Sequence, residues 1–141
     1  MNRIFVDTSA WIALLNKKEQ CHLEAVDIYE NRLNVYVIVV SNFVVAETYT
    51  WLRKKINSEI ALSFLNSIKE KEKLNQLEIV YATIEIEEEV SRLLEKYSDQ
   101  LFSYADAVSF VIMEKEKIKE AFSYDQHFLT AGFMTINQLG P

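Results

Sequence analysis

Apolar and polar positions follow two different periodicities along this chain, and together they predict a succession of strands and helices. Continuous apolar runs, which are typical of buried strands, occupy residues 3–7, 35–40, 77–81 and 121–124. Residues 133–136 predict a further, short edge strand. Between these runs the apolar side chains recur every three or four positions, which is the spacing of an amphipathic helix. The pattern therefore predicts strands separated by helices.

Four of the predicted helices lie before the third strand. The first follows Thr8-Ser9, and the second begins near residue 22. One face of the second helix is expected to turn inward, formed by Leu23, Val26, Tyr29 and Leu33. Ser41-Asn42 begins a third helix that ends near residue 55, and a fourth helix follows around residues 60–68.

Two more helices follow the third strand. The fifth covers about residues 85–97 and is amphipathic. The sixth, over about residues 103–118, is apolar on nearly every side through Met113, so it is expected to be central and buried. Apolar strands separated by helices indicate an α/β fold around a mainly parallel sheet.

Length and composition limit the class of protein. A chain of 141 residues is expected to form a single domain, residues 1–141. The longest apolar run, residues 35–40, is far shorter than the roughly 20 residues of a membrane-spanning helix. Cys21 is the only cysteine, which excludes an internal disulfide and a cysteine-based zinc site. No secretory signal is visible, so a cytoplasmic protein without membrane contact is expected.

Four acidic side chains stand at the ends of apolar runs or within them. Asp7 ends the first strand, and Glu47 interrupts an apolar segment of the third helix. Asp106 opens the apolar run of the sixth helix, and Asp125 follows the fourth strand. Four carboxylates that converge would repel one another and raise their pKa values unless a cation neutralised them.

Three of these acids also have a structural explanation. Asp7 and Asp125 each precede a predicted helix, where Asp is favoured as an N-cap. Asp106 stands three residues after Ser103, which nearly fits a capping box. Taken singly, each of the three is therefore more readily explained by capping than by catalysis.

Glu47 has no capping role because it lies in the interior of a predicted helix. Its neighbours one turn away are Phe43, Val44, Thr50 and Trp51. The carboxylate is therefore expected to share the inward face of the helix, where it must be neutralised, paired or bound to a metal. A salt bridge to a Lys or Arg is the structural alternative, but few bases are predicted to face inward.

Topology brings the acids together. Asp7 and Asp125 both follow buried strands, and the carboxyl ends of parallel strands line one edge of a sheet, where ligands bind. Asp106 and Glu47 lie on helices that begin at the same edge. Oxygen ligands without cysteine, and with only His22 and His127 in the chain, suit Mg²⁺ or Mn²⁺.

Four segments of the sequence together resemble one known family. They are the segments around Asp7 (FVDTSAW), Glu47 (VAE), Asp106 (SYADAVS) and Asp125 (SYDQHF). In this order and spacing they resemble the PIN-domain nucleases, and most closely the VapC-like toxins of bacterial and archaeal type II toxin–antitoxin pairs. The resemblance covers essentially the whole chain.

The resemblance implies a fold, an activity and a site. It implies a three-layer α/β/α fold and a metal-dependent ribonuclease that leaves 5′-phosphate and 3′-hydroxyl ends. Asp7, Glu47, Asp106 and Asp125 would be the metal-binding, catalytic acids, with Asp7 and Asp106 as direct ligands. Supporting positions would be Thr8, Ser9 and Asp99, although an N-cap or a solvated loop explains these equally well or better.

The family resemblance also implies partners. These are an RNA substrate, a cognate antitoxin protein and, for many members, a second copy of the chain. No DNA binding is expected from this chain alone. The net charge of −6 argues against general affinity for phosphate backbones, although the four acids supply much of that excess. An acidic body would restrict binding to a specific RNA shape.

Two other classes of function remain as alternatives. An Asp at a strand end is also found in phosphatases of the haloacid-dehalogenase type, but these resemble D-x-D-x-[TV], and Ser9 stands where the second acid is required. A catalytically silent module that binds RNA or protein would keep the fold without needing all four acids, and all four are present.

Overall fold

The structure, a computed structural model, describes residues 2–138. Its strands are β1 (Asn2–Val6), β2 (Tyr36–Ser41), β3 (Leu77–Val80), β4 (Glu120–Phe122) and β5 (Met134–Thr135). Its α-helices are α1 (Thr8–Leu15), α2 (His22–Asn31), α3 (Asn42–Lys55), α4 (Ser58–Lys73), α5 (Ile84–Lys96), α6 (Tyr104–Lys115) and α7 (His127–Thr130). Single 3₁₀ turns cover Leu33–Val35 and Ile136–Gln138. Met1 and residues 139–141 of the predicted domain lie outside the described part of the chain.

The five strands form one parallel sheet in the order β3-β2-β1-β4-β5. Phe5 of β1 pairs with Val39 of β2 on one side and with Ala121 of β4 on the other. The chain moves from β1 outward to β3 and then returns to the other side of β1 at β4. The direction of winding therefore reverses between β1 and β4, and such a switch point leaves a crevice at the carboxyl ends of the strands.

The helices form two groups. Helix α1 contacts α2 and α3, and α3 contacts α4, whereas α6 contacts α5 and α7. Because crossovers between parallel strands are right-handed, reversing the direction of winding places the second group on the opposite face of the sheet. The predicted three-layer α/β/α fold with a mainly parallel sheet is confirmed.

Helix α6 is the buried helix that its sequence predicts. Every residue from Asp106 to Met113 is buried, and Phe110 packs edge to face on Phe128 at a centroid distance of 4.9 Å. The helix ends at Lys115, about three residues earlier than predicted. Its burial fixes its first turn, which carries Asp106, against the rest of the core.

The predicted inward face of α2 is confirmed for Tyr29, which packs edge to face on Trp11, and for Leu33, but it is wrong for Leu23. Leu23 is 81% exposed, and the buried residues of this helix are Ala25 and Ile28. Leu33 is buried, but in the 3₁₀ turn after the helix. Two apolar stripes lie side by side on α2, and the stripe with the small Ala25 packs on the neighbouring helix. Val35 is also exposed, so β2 begins one residue later than predicted.

Two further features of the fold bear on the predictions. Helix α7 is a single turn after Asp125, where the capping argument predicts a helix start although no apolar periodicity defines the helix. Within residues 2–138, no helix combines the length and the apolar character that crossing a membrane requires.

Candidate metal and nuclease site

Asp7 lies at the switch point between β1 and β4. Its backbone N–H donates to the carbonyl of Phe122 (3.0 Å), which ties the ends of the two strands together. The carboxylate Oδ2 accepts hydrogen bonds from Ser9 Oγ (2.8 Å) and Ser123 Oγ (3.0 Å). Asp7 occupies the N-cap position of α1, but its side chain makes no capping bond. The capping explanation for this carboxylate is therefore wrong.

The Asp7 carboxyl group is strongly perturbed. Its pKa is raised to about 6: burial is the largest cause, the hydrogen bonds from Ser9 and Ser123 oppose it, and the negative charges of Asp106 and Asp125 add to it. Only 6% of the residue is exposed. Asp7, Asp106 and Asp125 therefore interact electrostatically, and no cationic side chain contributes to the pKa shift of Asp7.

Asp106 combines two functions in one side chain. Its backbone N–H donates to Ser103 Oγ (3.0 Å), while Ser103 N–H donates to Asp106 Oδ2 (3.1 Å), so the capping box predicted from the sequence is complete. The same Oδ2 lies 3.1 Å from Nδ1 of His127. Capping therefore does not separate Asp106 from the site; it fixes the carboxylate within it.

Asp125 is held in the turn before α7. Its Oδ1 accepts a hydrogen bond from the backbone N–H of His127 (2.9 Å) and lies 3.3 Å from Nδ1 of that residue. Its own N–H donates to Ser123 Oγ (3.0 Å). The hydroxyl of Ser123 thus connects Asp125 to Asp7.

The donor set of Asp106, Asp125 and His127 fits a divalent cation. One ligand atom from each residue lies within 4.8 Å of the other two. In an octahedral site with bonds of about 2.1 Å, adjacent ligands stand about 3 Å apart. The distances of 3.1 and 3.3 Å from His127 Nδ1 to the two carboxylates are close to this value. Two carboxylates and one imidazole suit Mg²⁺ or Mn²⁺, and the imidazole favours Mn²⁺ of the two.

Glu47 does not have the environment that its sequence predicts. The residue is exposed, and its aromatic neighbours Phe43 and Trp51 line a groove while also packing against the edge of the core. Its Oε1 accepts a hydrogen bond from Thr8 Oγ1 (2.6 Å). The inward-facing, buried Glu47 was a wrong prediction, but the hydrogen bond from Thr8 holds its carboxylate beside the residue that follows Asp7.

The three supporting residues fall into two groups. The hydroxyl of Thr8 donates a hydrogen bond to Glu47, and that of Ser9 donates one to Asp7. Ser9 Oγ also accepts a hydrogen bond from the backbone N–H of Tyr124 (2.9 Å). Neither hydroxyl caps α1. Asp99 is exposed in the loop before α6, where Gln100 Nε2 donates to it at 3.4 Å, and its contacts join it to none of the four acids.

His127 and Ser123 are site residues that the sequence analysis missed. His127 stands two positions after Asp125, and this Asp-x-His spacing was the available signal. The ring of His127 also packs edge to face on Phe102 (5.2 Å between centroids), which limits its rotation. Ser123 is buried at the end of β4, and only the pairing of β1 with β4 reveals its contact with Asp7.

A groove of about 940 Å³ opens beside the acids. Thr8 and Glu47 line it on one side, and Ser103 and Tyr104 at the start of α6 line it on another. Of the four acids, Glu47 lines this groove, and Thr8 and Ala105 in its lining are the sequence neighbours of Asp7 and Asp106.

Switch-point acids, a central parallel sheet and a buried helix that carries one of the acids define a class of α/β nuclease domain. Residues 4–134 match the PIN domain family, and the chain belongs to that family. The resemblance stated from the four sequence segments is thereby confirmed, and the haloacid-dehalogenase alternative is excluded.

The chain is similar to particular members of the toxin class. It is 29% identical over 137 residues to the 23S rRNA-specific endonuclease VapC20 of Mycobacterium tuberculosis, a match that covers 94% of this chain and 97% of the relative. The crystal structure of VapC20, described as a Sarcin-Ricin loop cleaving toxin, superposes with a TM-score of 0.82 at 30% identity, covering 93% of this chain and 96% of that one.

More distant structures share the fold. VapBC2 from Rickettsia felis, solved with a DNA fragment from its promoter, superposes with a TM-score of 0.64 at 16% identity, covering 94% of this chain and 96% of that one. At this identity the likeness shows the fold alone.

Proposed function

We propose that this protein is a metal-dependent endoribonuclease that acts as the toxin of a toxin–antitoxin pair, built as one nuclease domain over residues 1–141. The single observation that carries the proposal is the convergence of Asp7, Asp106 and Asp125 with His127 at the carboxyl edge of β1 and β4. Carboxylates so placed, with no cation among the groups that shift the pKa of Asp7, form a site built for an added positive charge.

The four acids would have different roles in the site. Asp106 and Asp125, with His127, would hold Mg²⁺ or Mn²⁺, and the buried charge of Asp7 would add to its binding. The bound ion supplies Lewis-acid chemistry, lowering the pKa of water and offsetting charge on the phosphate. Ser9 and Ser123 keep the Asp7 carboxylate in one orientation through two hydrogen bonds.

Glu47 would orient the attacking water molecule. Its carboxylate is exposed to the groove and fixed by Thr8 at 2.6 Å, so it can accept a hydrogen bond from a water molecule and orient it. Attack on phosphorus with departure of the 3′ oxygen gives 5′-phosphate and 3′-hydroxyl products.

RNA is the proposed substrate, and ribosomal RNA is the first candidate because VapC20 is a 23S rRNA-specific endonuclease. The cytoplasm, where ribosomes occur, is the proposed location. A cognate antitoxin and a second copy of the chain are the proposed protein partners.

One experiment tests the proposal. Purified protein is incubated with single-stranded RNA and with intact ribosomes in Mg²⁺ or Mn²⁺, and the fragment ends are mapped. Cleavage that requires metal and is lost in Asp7→Asn and Asp106→Asn, with both variants folded, supports the assignment. Cleavage in excess EDTA, or in both variants, contradicts it. RNA binding without cleavage would instead identify the catalytically silent module.

A further inference from the structure

The groove beside the acids carries an aromatic surface that the proposed chemistry does not use. Phe43 and Tyr104 both line it, from the first turns of α3 and α6. Their rings stack with centroids 5.6 Å apart and planes inclined by 28°. Trp51, two turns further along α3, lines the same groove.

Tyr104 is held in place although it is exposed. Its residue surface is 42% accessible, and its hydroxyl donates a 2.9 Å hydrogen bond to Glu87 Oε1 on α5. Phe43 supports the ring from one side. A ring whose orientation is already fixed loses little conformational entropy when a flat partner stacks on it. This arrangement is a preformed stacking surface.

We propose that Phe43, Trp51 and Tyr104 form a platform for an unpaired base of the RNA substrate, adjacent to the nucleotide whose phosphate lies at the acids. Lys54, which lines the same groove, contacts a neighbouring phosphate. The inference rests on the proposed function and names the part of the substrate that the site recognises.

The platform is continuous with the acids. Tyr104 lies between Ser103 and Asp106 in the first turn of α6, where the capping box joins those two residues. On the other side of the groove, Glu47 lies one turn from Phe43 on α3. A strand that follows the groove from the platform therefore reaches Glu47 and the residues next to Asp7 and Asp106, Thr8 and Ala105, without leaving the surface.

Chemistry favours a nucleic acid strand over a protein segment in this groove. Its lining combines aromatic rings with hydroxyl and amide side chains that can bond base edges, and its charged side chains, Lys54 and Glu47, have opposite signs. The net charge of −6 makes long-range attraction of RNA weak. Stacking does not depend on charge, so a platform explains how an acidic protein can hold RNA.

The test measures binding separately from cleavage. Folded Asp7→Asn protein in EDTA binds a fluorescein-labelled single-stranded RNA of about ten nucleotides, followed by anisotropy. We expect Tyr104→Leu and Phe43→Leu each to raise Kd about ten-fold, and Tyr104→Trp to restore it. Tyr36→Leu is the matched control, because Tyr36 also directs its hydroxyl to a glutamate, Glu120, but lies at the amino end of β2.

An abasic scan of the same RNA locates the stacked base. In the Asp7→Asn protein, one abasic position near the cleavage site should weaken binding about ten-fold, and the same change should cost little more when Tyr104→Leu is also present. A Kd that stays within about two-fold in both leucine variants overturns the platform. A change in sedimentation with unchanged RNA binding also overturns it, because the groove is then a protein interface.

The two proposals fail in different ways. If RNA binding depends on Tyr104 but the unmodified protein shows no metal-dependent cleavage, the platform is supported and the nuclease proposal is contradicted. If the protein cleaves RNA with metal but RNA binding is unchanged by substitution of Tyr104, the nuclease proposal is supported and the platform is contradicted.

Discussion

Thr8 and Glu47 are joined by a hydrogen bond of 2.6 Å although 39 positions separate them in the sequence. The bond ties the first turn of α1, directly after Asp7, to the second turn of α3. It is the only side-chain hydrogen bond of Glu47 within residues 2–138, so the orientation of this exposed carboxylate depends on one hydroxyl.

Replacing Thr8 with Val removes that hydroxyl and keeps the shape of the side chain. Because water can solvate the exposed Glu47, we expect the free energy of unfolding to change by less than about 1 kcal/mol. We expect kcat to fall about ten-fold, since the water-orienting carboxylate loses its anchor. Steady-state cleavage and urea unfolding measure the two effects, and Thr8→Ser should restore activity.

Thr48→Val is the matched control for Thr8→Val. Thr48 follows Glu47 on α3, is buried, and its hydroxyl has no partner among the described residues. The substitution should leave cleavage unchanged and stability level or higher. If Thr48→Val loses as much activity as Thr8→Val, any substitution next to Glu47 lowers activity, and the loss in Thr8→Val is not specific to the Thr8 hydroxyl.

The raised pKa of Asp7 predicts how the metal-free protein responds to pH. Its folded pKa of about 6 exceeds the reference value of 3.8, so the folded state binds more protons between these values. The contribution of Asp7 to stability is therefore greatest below about pH 4 and is lost as pH rises through about 6. The loss amounts to at most about 3 kcal/mol.

Asp7→Asn should remove this part of the pH dependence. In EDTA at pH 7 the variant should be more stable than the unmodified protein, because no buried charge has to form. Chemical unfolding from pH 4 to pH 8 provides the comparison. Identical pH profiles for the two proteins would show that Asp7 is not the titrating group.

Asp106 allows capping to be separated from metal binding. Asn at this position can still accept the hydrogen bond of Ser103 N–H, so Asp106→Asn should unfold close to the unmodified protein in EDTA. Asp106→Ala should lose about 1 kcal/mol. Both should lose most of the rise in Tm that millimolar Mn²⁺ produces in the unmodified protein. A rise in Tm retained by Asp106→Asn would place the ion elsewhere.

His127→Gln should lower the affinity for Mn²⁺ more than the affinity for Mg²⁺, because an imidazole ligand contributes more to binding of the softer ion. Calorimetric titration of each metal gives the two changes in affinity. His22→Gln is the control: His22 is the other histidine of the chain, and its Nδ1 lies 2.9 Å from the carbonyl of Ala13. Equal small changes for both variants would exclude His127 as a ligand.

Asp99→Asn tests the weakest of the supporting positions. The residue is exposed, and its hydrogen bond is to the adjacent Gln100. We expect cleavage rate and metal affinity to remain within about two-fold of the unmodified protein, as for surface substitutions in general. A larger loss in either measurement would make Asp99 an accessory acid of the site.

The sheet and its helices could be predicted from the sequence because burial sets the spacing of apolar residues. A helix buries one face, whereas a central strand is buried on both faces. Strands β1 and β2 are buried between two helical layers and therefore appear as continuous apolar runs. The extent of the short α7 could not be predicted, because a four-residue turn has no periodicity to detect. The errors in α2 arose because two adjacent stripes were equally apolar.

The site was predicted in part for a related reason. Strand ends locate Asp7 and Asp125, and helix starts locate Asp106, so the topology alone brings three acids to one edge. The exposure of Glu47 could not be predicted, since Phe43 and Trp51 have the same apolar character whether they face a core or a groove. Ser123 required the pairing of β1 with β4, which joins residues 116 positions apart.

The main-chain bond from Asp7 N–H to the Phe122 carbonyl has a consequence for how this protein can change. It holds Asp7 through backbone geometry that amino acid substitutions in the helices leave intact. Most side chains of the groove belong to α3 and to the start of α6, apart from that bond. Under the proposed function, substitutions at a few groove residues would therefore change the RNA target while the proposed cleaving centre stays as it is.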